Sequence, residues 1–306
     1  MIYAEIGGRF DPPAAAALSS VLVVLTLAFL AGGLAVRGGG RFVQTEAGFA
    51  PVSPRPLGRG RWPAFAAVVA VLSLSLVLPL ARLATWTIDV LPDHDLADYV
   101  GWTWNSVLVS VVGASLTVVC ALPVAMLMAR RKGAVLGWLA QAGYALPGVI
   151  VALALVAIAT RWVDPLYGTL TLLVAAYVIR FLPQAIQGEE AGLQQIGPNL
   201  VEAARGLGAS GRQAIWRIML PLMRPSLAAA WAVVFLTIVK ELPATLILRP
   251  LDFDTLPVRV WVPAHDALYP EAGPPALLLV IISSVPLYLL LGRARKDDST
   301  GVTLPA

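Results

Sequence analysis

Long apolar runs alternate with short polar segments along the whole chain. Seven runs approach or exceed the ~20 residues a helix needs to cross about 30 Å of hydrocarbon. They cover residues 14–36, 63–83, 104–128, 136–160, 167–187, 226–248 and 275–291. Lipid cannot satisfy free backbone groups, so each run predicts a helix. The pattern therefore predicts an all-α polytopic membrane protein. Composition agrees: of 306 residues, 58% are hydrophobic and 13% charged, with a mean hydropathy of +0.79. A soluble domain carries about twice that charge fraction.

The polar loops then set the orientation. Arg37, Arg41, Arg55, Arg59 and Arg61 fall in one loop, and Arg130, Arg131 and Lys132 in the next on that side. Arg205, Arg212, Arg217 and Arg224 follow in the central polar stretch, and Arg293, Arg295 and Lys296 in the tail. The alternate loops hold Asp89, Asp93, Asp95 and Asp98, then Asp252, Asp254, Asp266 and Glu271. This alternation puts the N-terminus outside and the C-terminus in the cytoplasm. The net charge of +4 is thus a topology signal, with no call for nucleic acid. Residues 37–62, rich in Gly, Pro and Arg, read as a cytoplasmic linker whose arginines are solvated or touch anionic lipid. Cys120 is the single cysteine, which excludes an internal disulfide or cysteine metal site. No basic segment precedes the first run, so no cleaved signal peptide is expected.

The stretch 197–225 is the longest polar interruption with its own periodicity. Pro198 suits a first helical position, and Leu200, Ala203, Ala204 and Leu207 share one face at helical spacing. Gly208 can take the left-handed conformation that ends such a helix. Ser210 followed by Gln213 is a capping-box pattern for a second helix. That helix would turn Ala214, Ile215, Ile218 and Leu222 inward and close at Pro221 and Pro225.

Glu202, Ala203, Ala204, Gly208, Ile218, Leu220 and Pro221 occur at the spacing Glu-Ala-Ala, three residues, Gly, nine residues, Ile-x-Leu-Pro. On these residues the stretch resembles the EAA loop of ABC-importer permeases. The resemblance implies the type I importer permease fold and makes those seven residues the coupling loop, which docks in a groove of a cytoplasmic ATPase subunit. Adjacent alanines would allow close approach, Gly208 the turn, and Glu202 a pairing with a basic residue across the interface. ATP and Mg would then belong to the partner ATPase, with no cofactor in this chain. An extracytoplasmic substrate-binding protein, a second permease half and the inner-membrane bilayer complete the implied partners.

A further stretch narrows the substrate. Lys240-Glu241-Leu242-Pro243-Ala244-Thr245-Leu246, then Arg249-Pro250, Phe253-Asp254-Thr255-Leu256 and Val258-Arg259-Val260-Trp261, resembles ferric-iron importer permeases, which normally fuse two halves in one chain. Residues 268–276, Leu-Tyr-Pro-Glu-Ala-Gly-Pro-Pro-Ala, echo residues 2–7 and 12–14 at the start of the chain. Residues 1–36 then read as the last outer loop and helix of an upstream half. Residues 37–62 are the linker, 63–292 a six-helix half, and 293–306 a cytoplasmic tail. Thiamine, sulfate and polyamines stay open as alternative substrates. A secondary transporter that needs no ATPase and a membrane protein with a purely interactive role stay open as alternative classes.

Few other residues invite chemistry. Lys240 and Glu241 lie in the outer part of the sixth run, where charges are expensive and mark a translocation pathway or a helix-to-helix ion pair. Arg180 is expected near the inner end of the fifth run, snorkelling to the interface. Pro79, Pro123, Pro147 and Pro286 would kink their helices. Gly208-Ala209-Ser210-Gly211 mimics an intramembrane serine-protease motif, but a nucleophilic serine needs a base within reach. The two histidines, His94 and His265, fall in outer loops, so capping explains Ser210. They are read as solvated, with transient iron binding as the alternative. No Gly-Lys dipeptide occurs, so the chain has no P-loop and is not its own ATPase.

Overall fold

A computed structural model of the chain describes residues 21, 24, 58–93, 95–129, 147–196 and 203–300. Eight helices order these residues. They are α1 (Arg61–Val90), α2 (Leu96–Ala129), α3 (Gly148–Trp162) and α4 (Leu170–Ile196), then α5 (Gly211–Ile238), α6 (Pro243–Leu248), α7 (Leu256–His265) and α8 (Gly273–Thr300). Five stretches are long and apolar enough to cross a membrane: α1, α2, α4, α5 and the segment Tyr269–Tyr288; α3 is shorter. The predicted run at 14–36, apart from residues 21 and 24, and the part of the run at 136–160 that precedes residue 147 lie outside the described residues.

The core forms where α2, α4 and α5 pack together. Ala114, Ala121 and Ala125 give α2 a small-residue stripe without exposed surface, and such stripes let backbones approach closely in lipid. Leu173, Ala176, Tyr177 and Ile186 meet it from α4; Val234, Phe235 and Ile238 meet it from α5. The α4–α5 contact is closest toward the ends joined by residues 197–210. A Cβ on Gly192 would lie 2.3 Å from Ser226 Oγ, and one on Gly188 would lie 2.8 Å from Ala230 Cβ. Helix α1 stands apart: it buries none of its residues and leans on α8 and the turn Tyr269–Ala272.

Three expectations change. The sixth run is not one helix: α5 ends at Ile238, residues 239–242 turn, and α6 restarts at Pro243, which suits a first helical position. Pro221 and Pro225 do not close a short helix, because α5 runs through both. A wider π-type turn at Ile215–Met219 precedes Pro221 and absorbs the ring's clash with the carbonyl four residues back. Helix α7, a short amphipathic helix, sits where a loop was expected; its burial of Leu256, Pro257 and Val258 against the core fixes it. Pro79, Pro123 and Pro286 lie within α1, α2 and α8, whereas Pro147 marks the start of α3.

The Gly192–Ser226 contact makes a packing prediction. Gly192→Ala should lower thermal stability in detergent by about 1–3 kcal/mol through overpacking. Gly192→Ala with Ser226→Gly should recover most of that loss, since the nearest remaining atom, Ser226 Cα, lies 4.0 Å away. Equal melting of the single and double variants would count against this packing.

Candidate functional site

Two polar regions stand out, one between α4 and α5 and one at membrane depth. Between the helices, residues 203–206 make one helical turn that ends in a reciprocal cap. Ala209 N–H donates to the Ala204 carbonyl at 3.1 Å, Gly208 N–H to Arg205 at 3.0 Å, and Gly208 has φ +90°. This is the Schellman arrangement, which needs a left-handed residue just past the helix end. Ser210 then caps α5: its Oγ accepts from Gln213 N–H at 3.3 Å, and Gln213 Oε1 accepts from Ser210 N–H at 2.9 Å. Both orphan ends are thus satisfied within a few residues, so the turn is stiff. No atom lies within 4 Å of where a Gly208 Cβ would be, and Leu207 is 91% exposed.

Of the residues predicted for this loop, Glu202 and Leu200 lie outside the described residues. Ala203 is exposed and Ala204 buried; Ile218, Leu220 and Pro221 are half-buried on α5. Ala214 faces the core as expected, but Leu222 points out. The π-type turn rotates Leu222 away from the register that a regular helix gives. Ser210 is the cap that the sequence predicts.

At membrane depth three polar rungs in antiparallel register join α4 to α6, to the turn 239–242 and to the end of α5 in succession. Tyr177 Oη meets Thr245 Oγ1 at 2.6 Å, Arg180 Nη1 meets Glu241 Oε1 at 3.1 Å, and Gln184 Nε2 donates to Thr237 Oγ1 at 3.1 Å. The Thr245 hydroxyl donates to the Glu241 carbonyl, which leaves Tyr177 as donor in the first rung. Glu241 Oε1 also accepts from Ala244 N–H at 3.1 Å, in the first turn of α6. Gly148, the first residue of α3, makes room: a Cβ there would lie 1.5 Å from Arg180 Nη1.

Arg180 therefore does not snorkel to an interface. It sits in the middle of α4, because the observed helix runs past the predicted end of the fifth run, and the buried carboxylate holds it. Lys240 and Glu241 diverge: Glu241 is 6% exposed, Lys240 exposed. Sequence reasoning missed Glu189, which is fully buried with neither carboxylate oxygen hydrogen-bonded. The pair Glu189-Glu190 ending an apolar run is the signal that could have found it. At the opposite end of the bundle, Asp254 pairs with both Arg249 and Arg259, the second at 2.7 Å, and Arg259 lies 4.3 Å over the Trp102 ring. His265 is exposed and stacks on Trp261; His94 lies outside the described residues. No cluster of His, Cys, Asp and Glu suited to a metal ion occurs among the described residues.

Comparison with known proteins fits this arrangement. Residues 97–294 match the family model for the binding-protein-dependent transport system inner membrane component. The chain is 32% identical to the Fe(3+)-transport system permease protein FbpB 2 of Haemophilus influenzae, over 96% of this chain and 60% of that protein. It is 24% identical to the spermidine/putrescine transport system permease protein PotC of Escherichia coli, over 42% of this chain and 50% of that protein. The chain thus spans only part of the length of these relatives. A structure of the MetNI methionine ABC transporter in inward-facing conformations superposes with a TM-score of 0.55 at 18% identity, covering 64% of this chain and 94% of that one.

The Arg180–Glu241 pair carries its own test. Arg180→Ala strands a buried carboxylate and should destabilise the bundle by roughly 3–5 kcal/mol, whereas replacing both partners by apolar residues of similar volume should cost much less. Thermal unfolding in detergent reads both. A double variant as unstable as Arg180→Ala would show that the pair is not the source.

Proposed function

This chain belongs to the family of binding-protein-dependent transport system inner membrane components, and on that premise we propose that it forms half of the membrane pathway of an ATP-driven importer for ferric iron. The observation that carries the coupling role is the stiff, exposed knuckle at 203–210, capped on both sides and flanked by α4 and α5. A surface that receives a push needs such stiffness, because a soft loop would absorb the movement. Glu202, Ala203, Ala204, Gly208, Ile218, Leu220 and Pro221 are the residues proposed to meet a cytoplasmic ATPase, which holds the ATP and Mg. The arginines around the knuckle support its cytoplasmic placement, with the C-terminus on the same side and the N-terminus outside.

At the other end, the loops near Asp254 would receive an extracytoplasmic binding protein. Lys240 and Glu241 would lie along the pathway, Lys240 as a lining charge and Glu241 as the anchor of the turn between α5 and α6. The ATPase cycle then biases a bistable bundle from one end and cargo delivery biases it from the other. Iron rests on the name and 32% identity of the Haemophilus relative. Polyamine is the second reading, favoured by the shorter match to PotC. The second half of the pathway would be a separate chain, another copy, or the remainder of a longer protein, with residues 1–36 as the end of an upstream half.

Tagged chain purified from mild detergent should bring down an ABC ATPase and a permease partner. A folded preparation without any ATPase would overturn the importer reading in favour of a secondary transporter. Within an intact complex, Gly208→Val should uncouple ATP hydrolysis from uptake, because a β-branched residue strains at positive φ. Normal coupling in that variant would remove Gly208 from the docking role.

A further inference from the structure

The charges at membrane depth point to the form in which cargo travels. Three charged side chains lie together where α4 meets the turn after α5: Arg180, Lys240 and Glu241. The acid is hidden. Glu241, at 6% exposed, is committed to Arg180 and to Ala244 N–H. The bases are not hidden to the same degree. Arg180 keeps 24% of its side chain exposed, and Lys240 is exposed with no ion pair or hydrogen bond among the described residues. The charge this level offers to anything outside the bundle is therefore positive.

An ammonium turned into hydrocarbon is costly, so Lys240 must face a water-filled path or the second half that encloses one. A low-dielectric wall focuses that charge and draws counter-ions of opposite sign. A trivalent aquo cation or a polyamine would instead meet an unpaired cation, with the neighbouring carboxylate already in use. We infer that the cargo passes this level as a net anion, with iron carried inside an anionic complex, and that Lys240 is the residue that contacts it. This rests on the importer reading above and narrows its substrate class by charge. It favours chelated iron over a polyamine or a bare metal ion. The geometry supplies a division of labour: Arg180 neutralises Glu241 so that Lys240 stays free for cargo.

The test uses the complete importer, the chain co-purified with its ATPase and binding protein, in sealed vesicles. The probes are iron-55 supplied as ferric citrate and radiolabelled spermidine. Wild-type vesicles should take up iron and not spermidine when ATP is present. Lys240→Glu should lower iron uptake at least about ten-fold, since a like charge against an anion costs several kcal/mol. Lys240→Arg should stay within about two-fold, because the charge is kept. Melting temperature and ATPase retention should be unchanged in both. Should Lys240→Glu fail to assemble, Lys240→Gln carries the same test with a smaller loss. Iron uptake undiminished in the charge-altered variant, or ATP-driven spermidine uptake by the wild type, would overturn the inference. Loss of the ATPase from the wild-type preparation would strike the importer reading instead, and the two failures are told apart by that measurement.

Discussion

A carboxylate held at membrane depth dictates the middle of this bundle. Glu241 cannot be left alone there, since a buried charge without partners costs several kcal/mol. Its needs explain the surrounding sequence. Arg180 supplies the opposite charge from the neighbouring helix, and Ala244 N–H supplies a backbone donor. That donor is free only because the helix has broken: Pro243 starts α6, and the first-turn N–H groups of a helix have no internal acceptor. Gly148 completes the set by leaving out the side chain that would occupy the guanidinium's place. The break in the sixth apolar run, the arginine in the fifth and the glycine opening α3 are consequences of one charge.

The rest of α4 and α5 is arranged so that this region and the knuckle stay in register. Toward the knuckle the two helices touch through Gly188, Gly192, Ser226 and Ala230, where nothing larger fits. Farther along, polar rungs tie α4 to the end of α5, to the turn after it and to α6. Close packing resists shear and hydrogen bonds fix register, so each half of the seam limits a different movement. In lipid there is little hydrophobic force between helices, and contacts of these two kinds hold a bundle together.

Much of this was legible in the sequence, for physical reasons. Apolar runs, loop charges and the chemistry of caps depend on nearby residues. Gly208 and Ser210–Gln213 were therefore readable one by one, and the structure places them as read. What was not legible depends on partners distant in sequence. Arg180 looked like a snorkelling side chain because nothing near it announces Glu241. Glu189 fell in a loop because its run seemed to end at Gln187, although α4 continues to Ile196. The two prolines in α5 looked like stops, since a local rule does not reveal that a wider turn upstream makes room for Pro221 or that the helix carries on through Pro225. Leu222 looked inward because a regular helix was assumed, whereas the wider turn at Ile215–Met219 shifts its register.

The exposed residues acquire meaning from that contrast. A membrane bundle can leave apolar side chains such as those of α1 uncovered, because lipid covers them. It cannot do the same with Leu207 on a polar turn or Lys240 at membrane depth. Each is mismatched to its surroundings in the isolated chain, the first too apolar for water and the second too polar for lipid. The two opposite mismatches lie beyond the two ends of a single helix. On the importer reading, the first would meet a protein surface beyond the membrane and the second a polar path within it, with α5 between them.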